Sequence, residues 1–176
     1  SEKERISFLT SLTGDVDPDT FEDETVRKAL GSIRAMKDIQ QTNGEAGSNR
    51  YIISNNQTAQ NIFEVFAMIR LSDWTNPAVD VVPLFETIPD LKIALEVMDK
   101  VYSNPVYREH LSNRGNKQTI MLGFSDGTKD GGYLMANWSI FKAKEELTAI
   151  SRKHGIKVTF FDCLLYTSDA ADDIGR

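Results

Sequence analysis

What this sequence has little of narrows the field first. It holds one cysteine in 176 residues, so no internal disulfide can form and a cytoplasmic setting is the simplest inference. No apolar run approaches the roughly 18 residues of a membrane span, and no signal-peptide core follows the charged start. Lysine and arginine are not clustered, and 20 basic against 26 acidic side chains give a formal charge of -6, which argues against a nucleic-acid surface. Gly127, Gly131 and Gly132 are not followed by Gly-Lys-Ser or Gly-Lys-Thr, so they do not form a nucleotide loop. There is no initial methionine, and Ser1-Glu2-Lys3-Glu4-Arg5 reads as the charged start of a helix that begins upstream. The chain is therefore expected to be an internal piece of a longer protein.

The rest, 40% hydrophobic and 26% charged, suffices for one soluble unit with a real core. Residues 1 to 13 read as a helix ended near Gly14, and the turn-rich DVDPD connects it to a second, amphipathic helix from about Glu24 to Gln41, with Val26, Leu30, Ile33 and Met36 on one face. From Tyr51 the pattern alternates. A short strand at Tyr51-Ile52-Ile53 leads through the capping residues Ser54-Asn55-Asn56 to a helix over Asn61 to Leu71, apolar nearly all round. A second strand, Val79 to Phe85, ends in Glu86. Thr87 with Asp90 resembles a capping box, and Leu91, Ala94, Leu95, Met98 and Val101 form the buried stripe of the next helix. After a short helical piece near Tyr107 to Leu111 comes the central strand, Thr119 to Phe124. The longest helix follows over Tyr133 to His154, with Leu134, Trp138, Phe141, Leu147 and Ile150 expected on its inner face, and Ile156 to Phe161 is the last strand. Four strands separated by helices imply right-handed crossovers and a parallel sheet, either open and doubly wound or part of a barrel.

The stretch Gln118 to Gly132, QTIMLGFSDGTKDGG, is the centre of the reading. Its buried strand runs out into a polar, glycine-loosened loop in which Asp126 and Lys129 bring both signs of charge to one turn. Ordinary turn chemistry explains Ser-Asp-Gly equally well. Glu86 and Asp126 each terminate a buried strand of consecutive strand-helix units, so they are expected as neighbours about 4.8 Å apart with both carboxylates at the same sheet end. Two hard oxygen ligands suit Mg²⁺ or Mn²⁺ better than zinc. The alternative for Glu86 is an acid favoured by a helix start. His110 and His154 read as structural or solvated.

Two motifs carry a resemblance. IMLGFSDGTKDGG is similar to the signature of the phosphoenolpyruvate carboxylases, a strand followed by Gly-Tyr-Ser-Asp-Ser-x-Lys-Asp, and VVPLFET resembles the family's metal-binding glutamate segment. Phe124 replaces the usual tyrosine and Gly127 the usual serine, while Asp126 and Lys129 are kept. The resemblance implies an α/β fold: a partial TIM-type (β/α)8 barrel with parallel strands, helix-rich and preceded by two helices, with a lead-in over 1–49 and the barrel part over 50–162. It implies Glu86 and Asp126 as ligands of Mg²⁺ or Mn²⁺ and Lys129 as the catalytic residue positioning the anionic reactants. Phosphoenolpyruvate and bicarbonate would give oxaloacetate and phosphate through a metal-stabilised enolate, in a parent homotetramer. The family's catalytic histidine and its glycine-arginine loop are not in this sequence, so the isolated chain is expected to be inactive.

The final string CLLYTSDAADDIGR resembles a translated sequencing-library adapter, and Cys163 to Arg176 are read as a non-native tail. Two other functions fit the same carboxylates: another divalent-metal barrel enzyme that stabilises a pyruvate enolate, such as an aldolase, and a metal- or phosphate-binding module without turnover.

Overall fold

Helix boundaries fall where the capping side chains stand. The computed structural model describes residues 1–163 apart from Thr75 and Phe124, and the backbone alone at 125–128, 130 and 163; the tail beyond 163 lies outside the described residues. Ser1 and Glu4 form a reciprocal capping box at the start of α1 (Glu2–Ser11). Asp23 accepts from the Thr25 and Val26 N–H groups to open α2 (Glu24–Asn43), which ends at Gly44 with φ 83°. Strand β1 (Arg50–Ile53) precedes α3 (Ala59–Arg70), in which Ile62, Phe63, Val65, Phe66, Ala67 and Ile69 are all buried, as its nearly continuous apolar surface demands.

Strand β2 (Asp80–Phe85) leads into α4 (Ile88–Ser103). The Thr87–Asp90 capping box is present in both directions. Asn104 closes α4 and also caps α5 (Pro105–Asn113), a division that Pro105 enforces because it cannot continue a helix from its own nitrogen. Positive φ at Gly115 and Asn116 turns the chain into β3 (Lys117–Gly123), followed by α6 (Ser125–Lys153) and β4 (Lys157–Cys163).

The strands hydrogen-bond in the order β1-β2-β3-β4 as a four-stranded parallel sheet. The protein is thus α/β, with helices between successive parallel strands as crossover geometry requires. Two compact units are distinguished. The first comprises Ser1–Tyr51 and Gln60–Val81. In it the connector after α1 is fastened to the end of α3 by the Gly14 and Val16 N–H groups donating to the Arg70 and Leu71 carbonyls, at 3.2 and 2.8 Å. Gln40 of α2 donates to the carbonyls of Ser48 and Ala78.

The second unit comprises Ile52–Ala59 and Val82 onward, and contains the C-terminal ends of β1 and β2, all of β3 and β4, and α4 to α6. Here α4 buries Leu91, Ala94, Val97, Met98, Val101 and Tyr102, while α6 buries Ala136, Ala143, Leu147 and Ile150. Tyr102 Oη lies 3.3 Å from Ser151 Oγ across the two helices, and burial raises the Tyr102 hydroxyl above its ordinary pKa. His154, at the end of α6, sits 2.7 Å from Asp99 of α4.

Two sequence expectations change. Leu134, Trp138 and Phe141 do not line the inner face of α6: they are 81%, 57% and 58% exposed. The alanines carry the helix in, because small side chains allow close approach. Ser125 to Lys129, expected as a loop, is helical in backbone, and the break falls later, at Gly132 with φ 80° and ψ 164°. His110, read as structural or solvated, takes the structural role: it is buried with its ring 5.7 Å from that of Tyr107.

Candidate functional site

Parallel sheets offer their C-terminal edge for chemistry because the connections there are free to vary while the strand ends stay fixed. Glu86 stands on that edge as the first residue after β2, directly ahead of the Thr87 cap. It is half-buried. Its Oε2 accepts the Asn55 N–H at 3.1 Å, which fixes one carboxylate oxygen and leaves the second for other partners. Asn55 supplies that N–H from a left-handed conformation, φ 52°, which asparagine tolerates better than most residues.

Close approach of the neighbouring strand completes the setting. Phe85 is in register with Leu122, and Leu122 with Asp162, so the next step along the strands brings Glu86 level with Gly123. A Cβ on Gly123 would lie 2.9 Å from Glu86 Cα and 3.3 Å from its carbonyl oxygen. Only glycine fits there. Asp162, another acid near this edge, is one row earlier and pairs with Lys144 of α6 at 2.7 Å, so its carboxylate serves the sheet-to-helix contact.

Asp126 is the second residue of α6, three positions past Gly123 and therefore at the same edge in backbone terms. Its side chain lies outside the described residues, as do Phe124 and the side-chain environment of Gly127, so the expectation that Glu86 and Asp126 share one cleft falls outside them too. Lys129 is exposed on the helical turn that begins at Ser125, and positions three apart on such a turn share a face. A Cβ on Gly131 would collide with Ile88 Cδ1, so the segment bearing Lys129 runs against the first residue of α4, two positions from Glu86. Among the described residues no three His, Cys, Asp or Glu side chains gather as a metal-ligating group.

The sequence reading missed two residues that shape the site. Asn55 was visible only as a capping candidate, because its N–H reaches Glu86 across 31 positions of chain. Gly123 carried a signal, a glycine inside an otherwise apolar strand, which usually marks close backbone approach.

An α/β chain with a carboxylate held at the C-terminal end of a parallel strand belongs to a broad class of enzymes and binding proteins. The family model for phosphoenolpyruvate carboxylase matches residues 1–163, nearly the whole chain, and the chain therefore belongs to the phosphoenolpyruvate carboxylase family. Family membership makes the parent activity that of a carboxylase of the lyase class. No helix among the described residues is long and apolar enough to cross a membrane.

Proposed function

We propose that this segment is part of the catalytic barrel of a phosphoenolpyruvate carboxylase, an eight-stranded (β/α) barrel of which the four parallel strands are one portion, and that Glu86 and Asp126 hold its divalent cation, Mg²⁺ or Mn²⁺. The single observation that carries the reading is the Glu86 carboxylate, half-buried at the strand end with one oxygen fixed by the Asn55 N–H. Its donor chemistry fits such an ion: a hard carboxylate oxygen suits Mg²⁺ or Mn²⁺, which complete their shells with water and substrate oxygens. In the cytoplasmic reaction of phosphoenolpyruvate with bicarbonate, giving oxaloacetate and phosphate, the cation supplies positive potential where enolate charge develops.

The residues of this chain do the positioning. Asn55 holds Glu86 in one orientation before any ligand arrives, so little reorganisation accompanies binding. Gly123 lets β3 close against the Glu86 backbone. Lys129, exposed on the first turn of α6, brings a positive charge to the anionic reactants. The chain by itself does not turn over, because the histidine segment and glycine-arginine loop called for by the family resemblance are not in its sequence and members of a catalytic unit do not act additively.

The test is charge removal in the assembled enzyme containing this segment. Asp126→Asn and Glu86→Gln each keep the side-chain size, and each should raise the metal concentration required and lower turnover by about 100-fold or more. Variants that keep both metal dependence and rate would show both acids to be helix-start residues.

A further inference from the structure

The turn between β1 and α3 holds a second anomaly beside the strained Asn55. Asn56 is wholly buried, yet neither its Nδ2 nor its Oδ1 has a hydrogen-bond partner among the described residues. A buried carboxamide with both ends unsatisfied opposes folding, and φ 52° at Asn55 adds backbone strain in the adjacent residue. Such costs persist where the surrounding structure imposes them, and they concentrate at functional sites. Both fall in the turn whose Asn55 N–H holds Glu86.

We propose that Asn56 is a positioning residue of the Glu86 site, whose carboxamide takes up its hydrogen bonds when a hydrated divalent cation and its anionic partner occupy that site. This inference rests on the cation-site reading above. The chemistry matches: Oδ1 needs a donor and Nδ2 needs acceptors, and a hydrated cation with a bound anion offers water hydrogens to the first and anionic oxygens to the second. Among the described residues the same groups have no such partners. Asn56 therefore trades stability of the free chain for a Glu86 turn that tightens on loading.

Asn56→Ala in the 176-residue chain separates this role from a structural one. Alanine removes both unsatisfied polar groups without adding bulk, so the ligand-free variant should melt close to or above wild type, the loss of an unsatisfied pair offsetting the small cavity. Its Mn²⁺ affinity, read from the electron paramagnetic resonance of free Mn²⁺, should fall about 10-fold or more, the usual size for an outer partner of a metal ligand. A purely structural asparagine, satisfied inside the fold or by an enclosed water, would lower the melting temperature instead, and that result overturns the proposal. So does unchanged Mn²⁺ affinity in a chain whose wild type binds. If wild type binds no Mn²⁺, the cation-site reading fails and takes this inference with it. Should the alanine variant not fold, Asn56→Val, measured at a temperature where it is folded, must show the same loss of affinity.

Discussion

Replacing Gly123 by alanine probes the contact on which the placement of Glu86 depends. The added Cβ would stand 2.9 Å from Glu86 Cα and 3.3 Å from its carbonyl oxygen, inside the ~3.5–4.0 Å at which carbon atoms rest against each other. The obstacle is backbone, so no rotamer change relieves it, and the strand ends must part. Overpacking of this kind costs about 1–3 kcal/mol, while removing a strand glycine returns roughly 0.5–1 kcal/mol through the unfolded chain. The net loss of about 0–2.5 kcal/mol lowers the melting temperature by up to roughly 10 °C, at about 2–4 °C per kcal/mol for a chain of this size. Gly31→Ala is the matched control. It lies mid-way along α2 with nothing within 4 Å of its added Cβ, so helix propensity alone acts and stability rises by about 0.5–1 kcal/mol. Thermal unfolding followed by circular dichroism reads both. A Gly123→Ala chain that melts above wild type would refute the close approach of β3 to the Glu86 backbone.

Three further outcomes follow from particular contacts. The hydrogen bond from His154, first among its causes, holds the Asp99 carboxyl below its ordinary value of 3.8. Because the folded value is the lower one, the stability from Asp99 is complete above the ordinary aspartate range and drains away as pH falls through the folded value, so Asp99→Asn should flatten the acid limb of melting temperature against pH below about pH 4; with Asp99 39% exposed the effect is small and shrinks in salt. Lys129→Ala should leave stability within about 0.5 kcal/mol, as exposed positions usually do, while lowering turnover of the assembled enzyme; equal turnover would assign the lysine to solvent. Trp138→Gln should likewise leave the melting temperature nearly unchanged, since the ring is 57% exposed, and a large drop would restore Trp138 to the core.

Local signals proved legible where local physics decides the structure. Thr87 with Asp90 acts within a few residues, and the cap is where the sequence put it; Asn104 with Pro105 and the Gly115-Asn116 turn are equally local. Alternation of strands and helices implied the parallel sheet because crossover geometry leaves few alternatives. The first half of the α6 face was not legible, since periodicity favours the bulkier Leu134-Trp138-Phe141 over Ala136-Ala143, whereas Leu147 and Ile150 were placed inward and are buried. Close packing selected the alanines. Ser-Asp-Gly reads equally as a turn or as the first turn of a helix, so Ser125 to Lys129 was placed in a loop. At the site, Glu86 was legible as an acid ending a strand. Its hold by Asn55 was not, because it is a contact between segments distant in the chain; Gly123 signalled a close approach without saying to what.

The most direct measurement is a Mn²⁺ titration of the 176-residue chain and its Glu86→Gln variant, followed by the resonance of free Mn²⁺. The glutamine retains an oxygen that can accept from the Asn55 N–H, so the local fold should survive while the charge is lost. The account predicts saturable binding by wild type and an affinity weakened by about 10-fold or more in the variant. Equal affinity in the two chains, with both folded, would contradict the claim that Glu86 holds the cation.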